Sequence, residues 1–542
     1  MKTYLMKSYV FLINSFRLNM MLWIALLGMG SAAGYGQTPL KPNPKAEAWV
    51  EKQISRGEKA DLYDQFPEGE CVIRAASLGK LFNSLSSDDS SASKIVEIRH
   101  AIVTGVLDLR QSDFTRGISM TDCQFEGPVF LSHCYFPHVL NLEDSIFREI
   151  VDLREIRADD LVSFHQTVFE GSVDMTGAFL QGDWAASQAR FLNQAQGVIL
   201  SGLEVAQNVY WKESIFDGPV RGADAAVGGR LIADDARFLD KEVGVNFVRL
   251  FAGGLASFNQ AVFEGPVDFS NADVQEGFQA FDAQFNHPAQ PVLFVNFKTK
   301  GRLDFSKSSF LGSVQCTGME LGGSLNVSDA SFKNPNCRVD FSETITGDAF
   351  FENCHFDGLL LLNHFIYRNL YAGDREGVFD NALALVETAK FNPDSYRRLE
   401  RSIHEQGFSQ AADAIFIAQK ERERRERLAP YSMDWFINGF LGWAAGHGRH
   451  PERVLLISFL IVMFGVVFVF RASRMTPVDS SGEALRHRFW YSLDLFLPLV
   501  DLQMARQWTP RSNWARHYQR IHTLSGWIFV PLFWASLFGW LK

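Results

Sequence analysis

The chain has 542 residues, which is too long for a single ordinary domain, and its formal net charge is −10. Hydrophobic residues make up 47% of it and charged residues 21%, a balance that excludes a chain disordered throughout. The 48 phenylalanines exceed ordinary usage, so we expect a repetitive element that uses phenylalanine.

The first 37 residues have the pattern of an export signal. Lys2, Lys7 and Arg17 precede the apolar run MMLWIALLGMG, and the small residues SAAGYG follow it. This pattern predicts a signal peptide over 1–37, cleaved near Gly36; the alternative is a retained N-terminal anchor. In either case we expect the following residues to be translocated across the membrane.

Residues 38–97 are expected to form an N-terminal helical and capping region. The stretch KAEAWVEKQISRG favours a helix, and the apolar segment CVIRAASLGKLF is suited to close the end of a repeat structure. A cap is needed because an open end exposes both the core and unpaired strand edges.

Residues 98–366 consist mainly of 11-residue units, such as LDLRQSDFTRG from Leu107 and VSFHQTVFEGS from Val162. Positions 1, 3, 6 and 8 are apolar or small, and position 8 is usually Phe. This spacing alternates locally, as in short strands, and does not follow the helical i, i+3, i+4, i+7 pattern. It therefore favours a solenoid of strands and turns over an 11-residue helical coiled coil. Glycine recurs at position 10, where we expect turns; the examples are Gly127, Gly171, Gly265 and Gly312.

Each unit divides into two fives and one further residue, as in VSFHQ, TVFEG and Ser172. In this the chain resembles the pentapeptide-repeat family. The resemblance implies a mainly β fold, a right-handed quadrilateral β-helix in which two units form one coil, with about 12 coils stacked at one strand spacing each. It also implies that the central phenylalanines point inward and stack as a ladder.

The spacing of the central phenylalanines is not uniform. From Phe169 to Phe332, successive members of the series are separated by either 22 or 25 residues. We expect the three extra residues to form loops at one corner of the solenoid, where solenoids often bind partners.

Two helical regions follow the repeats. Residues 367–430 are expected to form a helical hairpin connector, broken near Gly407, and residues 431–542 a membrane module. The apolar runs 454–470 and 524–541 are each just long enough to span a bilayer as a helix. Together with GWAAGHGRHPERVL, they are similar to the two-span, ion-channel-like membrane modules that follow some bacterial repeat regions.

Arginines are concentrated between the two predicted spans. This bias predicts that loop 471–523 is cytoplasmic and that the repeat domain is extracytoplasmic. The resemblance to bacterial modules implies that the membrane belongs to a bacterial cell envelope. Eight of the 12 tryptophans lie beyond residue 430, as expected of an interfacial aromatic belt. The stretch DWFINGFLGWAAG is expected to lie along the membrane surface as an amphipathic segment.

The apolar segment 488–502 lies between the predicted spans and contains Asp494, Pro498 and Asp501. We expect a half-inserted or interfacial helix bent near Pro498, with Asp501 available to pair with Arg506. These four are candidate pore or membrane-polar residues, because intramembrane acids are often functional. However, a potassium filter uses backbone carbonyls of glycine-containing loops, and there is no glycine between residues 483 and 525.

The sequence predicts no catalytic, cofactor-binding or metal-binding residues. It lacks GxSxG, P-loop, HExxH and CxxC motifs, so we do not expect an enzyme. The His and Arg residues of HGRH, 447–450, are expected to be solvated or to contact headgroups. The inward positions of the repeat that take small residues include Cys123, Cys134 and Cys354, so we expect these cysteines to be buried. A lower-ranked alternative is a disulfide between stacked coils, formed by Cys316 and Cys337.

The expected role is a membrane-anchored binding or scaffold module; the alternative is an oligomeric two-span ion channel. Expected partners are the membrane, an unidentified protein or glycan on the solenoid face, and further copies of the chain. Residues 98–366 carry 35 acidic and 19 basic side chains, but export of the chain argues against DNA mimicry, so no nucleic-acid partner is expected.

Overall fold

The computed structural model describes residues 40–85, 95–373, 378–478 and 487–540. The signal peptide expected at 1–37 lies outside these residues, as does part of the loop between the two predicted spans. The described chain forms a parallel β-solenoid of about 13 turns followed by helices, so the expected solenoid is confirmed.

Four parallel sheets, which we call A to D, run along the solenoid. The 14 strands of sheet A are Ala60–Asp61, Ile95–Arg99, Gly117–Thr121, Leu140–Asn141, Val162–Ser163, Trp184–Ala185, Val209–Tyr210, Leu231–Ile232, Leu255–Ser257, Gly277–Gln279, Arg302–Asp304, Leu325–Asn326, Asp348–Phe350 and Asn369–Tyr371. The 13 strands of sheet B are Val72–Arg74, Ile102–Thr104, Gln124–Phe125, Ile146–Phe147, Val168–Phe169, Arg190–Phe191, Ile215–Phe216, Arg237–Phe238, Val262–Phe263, Gln284–Phe285, Ser309–Phe310, Ser331–Phe332 and His355–Phe356.

Sheets C and D complete each turn. The 12 strands of sheet C are Leu107–Asp108, Val129–Phe130, Val151–Asp152, Val173–Asp174, Val198–Ile199, Val220–Arg221, Val245–Asn246, Val267–Asp268, Val292–Leu293, Val314–Gln315, Arg338–Asp340 and Leu359–Leu361. The nine strands of sheet D are Tyr135–Phe136, Arg157–Ala158, Phe179–Leu180, Glu204–Val205, Ala226–Val227, Phe251–Ala252, Asp273–Val274, Lys298–Thr299 and Glu320–Leu321.

The predicted phenylalanine ladder is present in sheet B. Eleven rings stack in succession from Phe125 to Phe356, with centroids 4.4 to 5.1 Å apart. This separation is close to the spacing of neighbouring strands, so the register of the sheet alone brings each ring over the next.

Small side chains beside the ladder bond one coil to its neighbour. Ser145 Oγ donates to the carbonyl of Met120 at 3.0 Å, and Thr167 Oγ1 donates to that of Leu142 at 2.8 Å. Cys123 and Cys134 are buried at inward positions, as predicted, and Cys134 Sγ lies 2.9 Å from the carbonyl oxygen of Leu109. Cys316 and Cys337 are both free thiols, so the alternative disulfide is not formed.

The three-residue insertions all fall at one corner, between sheets B and C, as predicted. They follow Phe191, Phe238, Phe285 and Phe332, which lie in alternate coils. The side chain of the second residue after the phenylalanine bonds to a backbone N–H within the loop in each case. The acceptors are Asn193, Asp240, His287 and Asn334.

The recurrent glycines have a different cause from the one expected. None of the four examples above has a positive φ. Instead, a Cβ at Gly127, Gly265 or Gly312 would overlap a carbonyl oxygen of the preceding coil, and one at Gly171 would overlap the peptide that follows Glu149. Glycine is needed there for close backbone approach and not for turn geometry.

Nine α-helices accompany the solenoid in the described residues: α1 Pro44–Ser55, α2 Ala75–Leu85, α3 Val378–Thr388, α4 Pro393–Glu405, α5 Ser409–Glu426, α6 Met433–Ala445, α7 Pro451–Phe464, α8 Arg488–Phe496 and α9 Asn513–Leu537. Helix α7 continues as a π-helical turn over Gly465–Val469, and 3-10 turns occupy Leu62–Asp64, Gly446–Gly448 and Ala472–Arg474. Strands Met475–Pro477 and Trp508–Pro510 form an antiparallel pair.

Both ends of the solenoid are covered by helices. At the N-terminal end, Phe82 of α2 packs edge-on against Phe114, with ring centroids 6.2 Å apart. At the C-terminal end, Ser395 and Ser402 of α4 donate hydrogen bonds to carbonyl groups of the last coil. These contacts cover core and strand edges that would otherwise be exposed.

Candidate functional site in the C-terminal helices

Helices α7 and α9 pack side by side with α8 between them. Phe529 lies in one core cluster with Val454 near the start of α7, whereas Tyr518 contacts Phe464 at its end, so α7 and α9 are antiparallel. Helix α8 contacts both. The arrangement brings the segment with the candidate residues into the middle of the helical module.

One helix in the described residues, Pro451–Val469, is long and apolar enough to cross a membrane. It corresponds to the predicted span 454–470 and begins three residues earlier, with Pro451 in the first turn. The predicted second span, 524–541, is not confirmed. Helix α9 ends at Leu537, and its first turns are polar, with Arg516 and Arg520.

The candidate segment forms a short helix that ends, rather than bends, before Pro498. Leu497 has an extended backbone (φ −84°, ψ 104°), as expected of a residue that precedes proline. Beyond a turn, the chain comes back against α8, because Asp494 Oδ1 accepts a hydrogen bond from the N–H of Leu502 at 2.6 Å. The segment therefore enters the module and returns to the same end.

The carboxylate of Asp494 stabilises this turn. Its side chain is 8% exposed, and its Oδ2 accepts a second hydrogen bond from the N–H of Ala505 at 2.7 Å. Backbone donors of this kind stabilise a buried carboxylate. The position first considered as a pore acid thus has a complete structural role.

Asp501 lies at the exposed end of the segment. Arg506 Nη2 donates to its Oδ2 at 2.5 Å, so the expected pair is present. The Asp501 side chain is 50% exposed and that of Arg506 is 78% exposed. An exposed pair of this kind contributes little to stability.

A buried polar cluster joins the three helices, and no sequence motif predicted it. His522 Nε2 lies 2.9 Å from the carbonyl oxygen of Ser492, and Ser492 Oγ donates to the carbonyl of Val462 at 2.9 Å. Tyr518 Oη lies 3.3 Å from His522 Nδ1. A neutral imidazole with its proton on Nε2 satisfies both contacts.

Two glycines allow the helices to approach closely around this cluster. A Cβ at Gly526 of α9 would overlap the carbonyl oxygen of Phe496 at the end of α8. A Cβ at Gly465 would lie 2.6 Å from Ser492 Oγ. Small residues at such contacts are typical of helix packing within membranes.

Arg449 joins the C-terminal helical module to the connector helices. Its Nη2 lies 2.5 Å from Glu400 Oε1 of α4, and its Nη1 lies 2.8 Å from Asp413 Oδ1 of α5. The Arg449 side chain is only 12% exposed, so the expectation that the HGRH group is solvated or contacts headgroups is wrong for this residue. It is also wrong for His447, whose burial lowers its pKa below the ordinary value.

Many large apolar side chains of the C-terminal helices are exposed. They lie on α6 to α9, on the π-turn after α7 and just beyond α9, and they include Phe436, Ile437, Trp443, Leu455, Leu456, Phe459, Leu460, Phe468, Trp490, Leu524, Trp527, Trp534 and Trp540. Between α7, α8 and α9 there is also an apolar cavity of about 330 Å³, lined by Phe459, Leu493 and Phe533 among others. Surfaces of this extent mark membrane or partner contact.

The described residues contain no group of His, Cys, Asp and Glu side chains arranged to hold a metal ion. No family model matches the chain, and no curated protein or solved structure matches it either.

Proposed function

We propose that this chain is a membrane-anchored, extracytoplasmic repeat protein in which the solenoid acts as a binding or scaffold rod, without catalysis. The observation that carries the proposal is the set of large apolar side chains exposed on α6 to α9, next to a solenoid whose exposed side chains are mostly polar. Helix α7 has 19 residues including its π-turn, which corresponds to about 28 Å and so to about the thickness of a bilayer core.

The same proposal assigns the solenoid to the pentapeptide-repeat type, right-handed and four-sided. Four parallel ladders and the repeated inward phenylalanines support this shape. The outward orientation of the rod rests on the export-signal pattern and on the arginines between the predicted spans, and the bacterial cell envelope rests on the resemblance to bacterial repeat proteins.

Liposome flotation tests the anchor. Leu456 and Leu460 of α7 are 58% and 56% exposed, and each Lys placed at mid-span costs about 2.5 to 3.5 kcal/mol. We expect the wild-type chain to float with liposomes and the double variant Leu456→Lys, Leu460→Lys to remain at the bottom of the gradient. The control is Phe251→Lys, an exposed apolar position on sheet D, which should float like the wild type.

The result that contradicts the anchor is a wild-type chain that does not float, or a double variant that floats as well as the control. Circular dichroism of each variant establishes that the solenoid is intact.

The second candidate is an oligomeric ion channel, and the returning segment at α8 favours it. Both carboxylates of that segment already have partners in one chain, which favours the anchor. Conductance of planar bilayers that contain the purified protein distinguishes the channel from the anchor. Discrete conductance, with an ion selectivity that Asp501→Asn alters, would establish the channel. Absence of conductance would leave the anchor.

A further inference from the structure

A groove of about 970 Å³ lies on the outside of the solenoid, along sheet D and its corner with sheet C. At this corner each coil carries one residue with positive φ, and these residues form a column along the solenoid. The column includes His133 and Glu155. The next two coils have Gly177 and Gly202 in the same place, with φ of +64° and +65°. Since two successive side chains are missing from the column, the corner is notched.

The floor of the groove is a row of outward side chains in register on sheet D. Tyr135 pairs with Arg157, Arg157 with Phe179, and Phe179 with Glu204 on successive coils. Two aromatic rings therefore lie about 9.6 Å apart, two strand spacings, with a guanidinium on the coil between them. Phe179 is 38% exposed although it is a large apolar residue.

Some polar groups of the groove are already paired. Tyr135 Oη donates to Asp159 Oδ2 at 2.5 Å, and His133 Nδ1 lies 3.3 Å from Glu155 Oε2. These contacts join neighbouring coils and fix the positions of the side chains.

Other polar groups of the groove have no partner. In the part of the chain that the structure describes, the side chains of Asp113, Arg157 and Glu204 make no hydrogen bond or ion pair. Asp113 lies next to Tyr135 at one end of the row and Glu204 lies at the other, so acceptors are at both ends and donors at the centre.

We propose that this groove binds a neutral oligosaccharide. Hydroxyl groups both donate and accept, so one ligand class satisfies the acceptor-only carboxylates at the ends and the donor-only guanidinium of Arg157 at the centre. The apolar faces of two sugar rings of one oligosaccharide fit over Tyr135 and Phe179. A basic peptide would leave the guanidinium of Arg157 without an acceptor, and an acidic one would be repelled by the four carboxylates of the groove.

The inference deepens the proposed binding role of the rod and rests on it. Isothermal titration calorimetry on the full chain, in a detergent without sugar headgroups, tests it with cellohexaose, chitohexaose, maltohexaose and laminarihexaose. We expect saturable binding of at least one of these. For that sugar, Phe179→Ala should raise Kd at least tenfold.

Two further variants distinguish binding in the groove from binding elsewhere on the surface of the solenoid. Phe251→Ala removes an equally exposed ring on the same sheet, three coils away, and should leave Kd unchanged. Gly202→Gln fills the notch and should abolish binding. Because Gln already occupies positive-φ positions at corners of this solenoid, such as Gln188, the variant should fold.

The assignment is overturned if none of the four sugars binds, if Phe179→Ala and Phe251→Ala have equal effects, or if tetralysine binds with a Kd that Phe179→Ala raises. A chain that binds none of the sugars but floats with liposomes would refute the groove and leave the anchor in place. A chain that does not float would refute the anchor instead.

Discussion

Phe216 represents the residues that stabilise the solenoid. It is fully buried, and its ring stacks between those of Phe191 and Phe238 at 4.8 and 4.9 Å. We expect Phe216→Ala to lower the free energy of unfolding by about 3 to 5 kcal/mol, because it removes a large buried side chain and leaves a cavity. Urea unfolding followed by circular dichroism measures this loss. The exposed Phe251→Ala is the control, and an equal loss there would contradict the ladder's role.

Glu47 gives the N-terminal cap a dependence on pH. Its carboxylate accepts hydrogen bonds from Arg74 Nε at 2.8 Å and from Arg74 Nη2 at 2.5 Å, and this lowers the pKa of Glu47 to about 2. A lowered carboxyl pKa stabilises the fold above the ordinary value near 4.5, and that stabilisation is lost as the pH falls towards 2.

The matching variant is Glu47→Gln. We expect its melting temperature to be below that of the wild type at pH 7 and the difference to shrink as the pH falls from 4.5 towards 2. Differential scanning fluorimetry across this range measures it. A difference that does not change with pH would show that the ion pair is not the cause.

Residue patterns were informative where a side chain acts through its burial. The period of the phenylalanines predicted the ladder, and the small inward positions predicted the environment of Cys123. The role of the glycines was not predicted, because glycine is favoured both where φ is positive and where two backbones approach closely. Only the position of the neighbouring coil distinguishes these two causes. The partners of Arg449 were missed because Glu400 and Asp413 are 49 and 36 residues away in the chain.

At the scale of elements, the returning segment after α8 depends on Asp494. We expect Asp494→Asn to expose the amides of Leu502 and Ala505, because the neutral amide accepts more weakly than the carboxylate and has one acceptor oxygen instead of two. Hydrogen–deuterium exchange with mass spectrometry should then show faster exchange in a peptide covering 502–505.

Asp501→Asn is the control for this variant. It removes the charge of the exposed pair with Arg506 and weakens the hydrogen bond from the N–H of Gln503, but leaves the amides of Leu502 and Ala505 bonded to Asp494. If the two variants change the exchange of those two amides equally, Asp494 does not hold the turn.

The limits of prediction at this scale follow from where the helices end. A window of apolar residues over 524–541 extends beyond the end of α9 at Leu537, and the preceding turns carry Arg520 and the buried His522. Hydropathy alone does not locate a helix end. Similarly, the sequence placed Asp494 and Pro498 in one segment, but it could not show that the chain turns back and that backbone amides bind the carboxylate.

At the scale of the whole molecule, the half-buried Arg449 joins the connector helices to the start of α7, and the arginines at 471 and 474 lie at the opposite end of α7. The rod and the arginine-rich loop are therefore at opposite ends of the apolar helix. If α7 crosses a membrane, they lie on opposite sides of it.

Labelling of single introduced cysteines in intact cells that express the chain tests this account most directly. Five of the six native thiols are buried, and burial raises the pKa of Cys123 to about 12 and that of Cys134 to about 11, so we expect little background labelling from them. We expect a membrane-impermeant maleimide to label Ala289→Cys, in an exposed corner loop, in intact cells, and to label Arg474→Cys only after permeabilisation, with both chains in the membrane fraction. Labelling of Arg474→Cys but not Ala289→Cys in intact cells, or recovery of the chain in the soluble fraction, would contradict a rod held outside the membrane by its C-terminal helices.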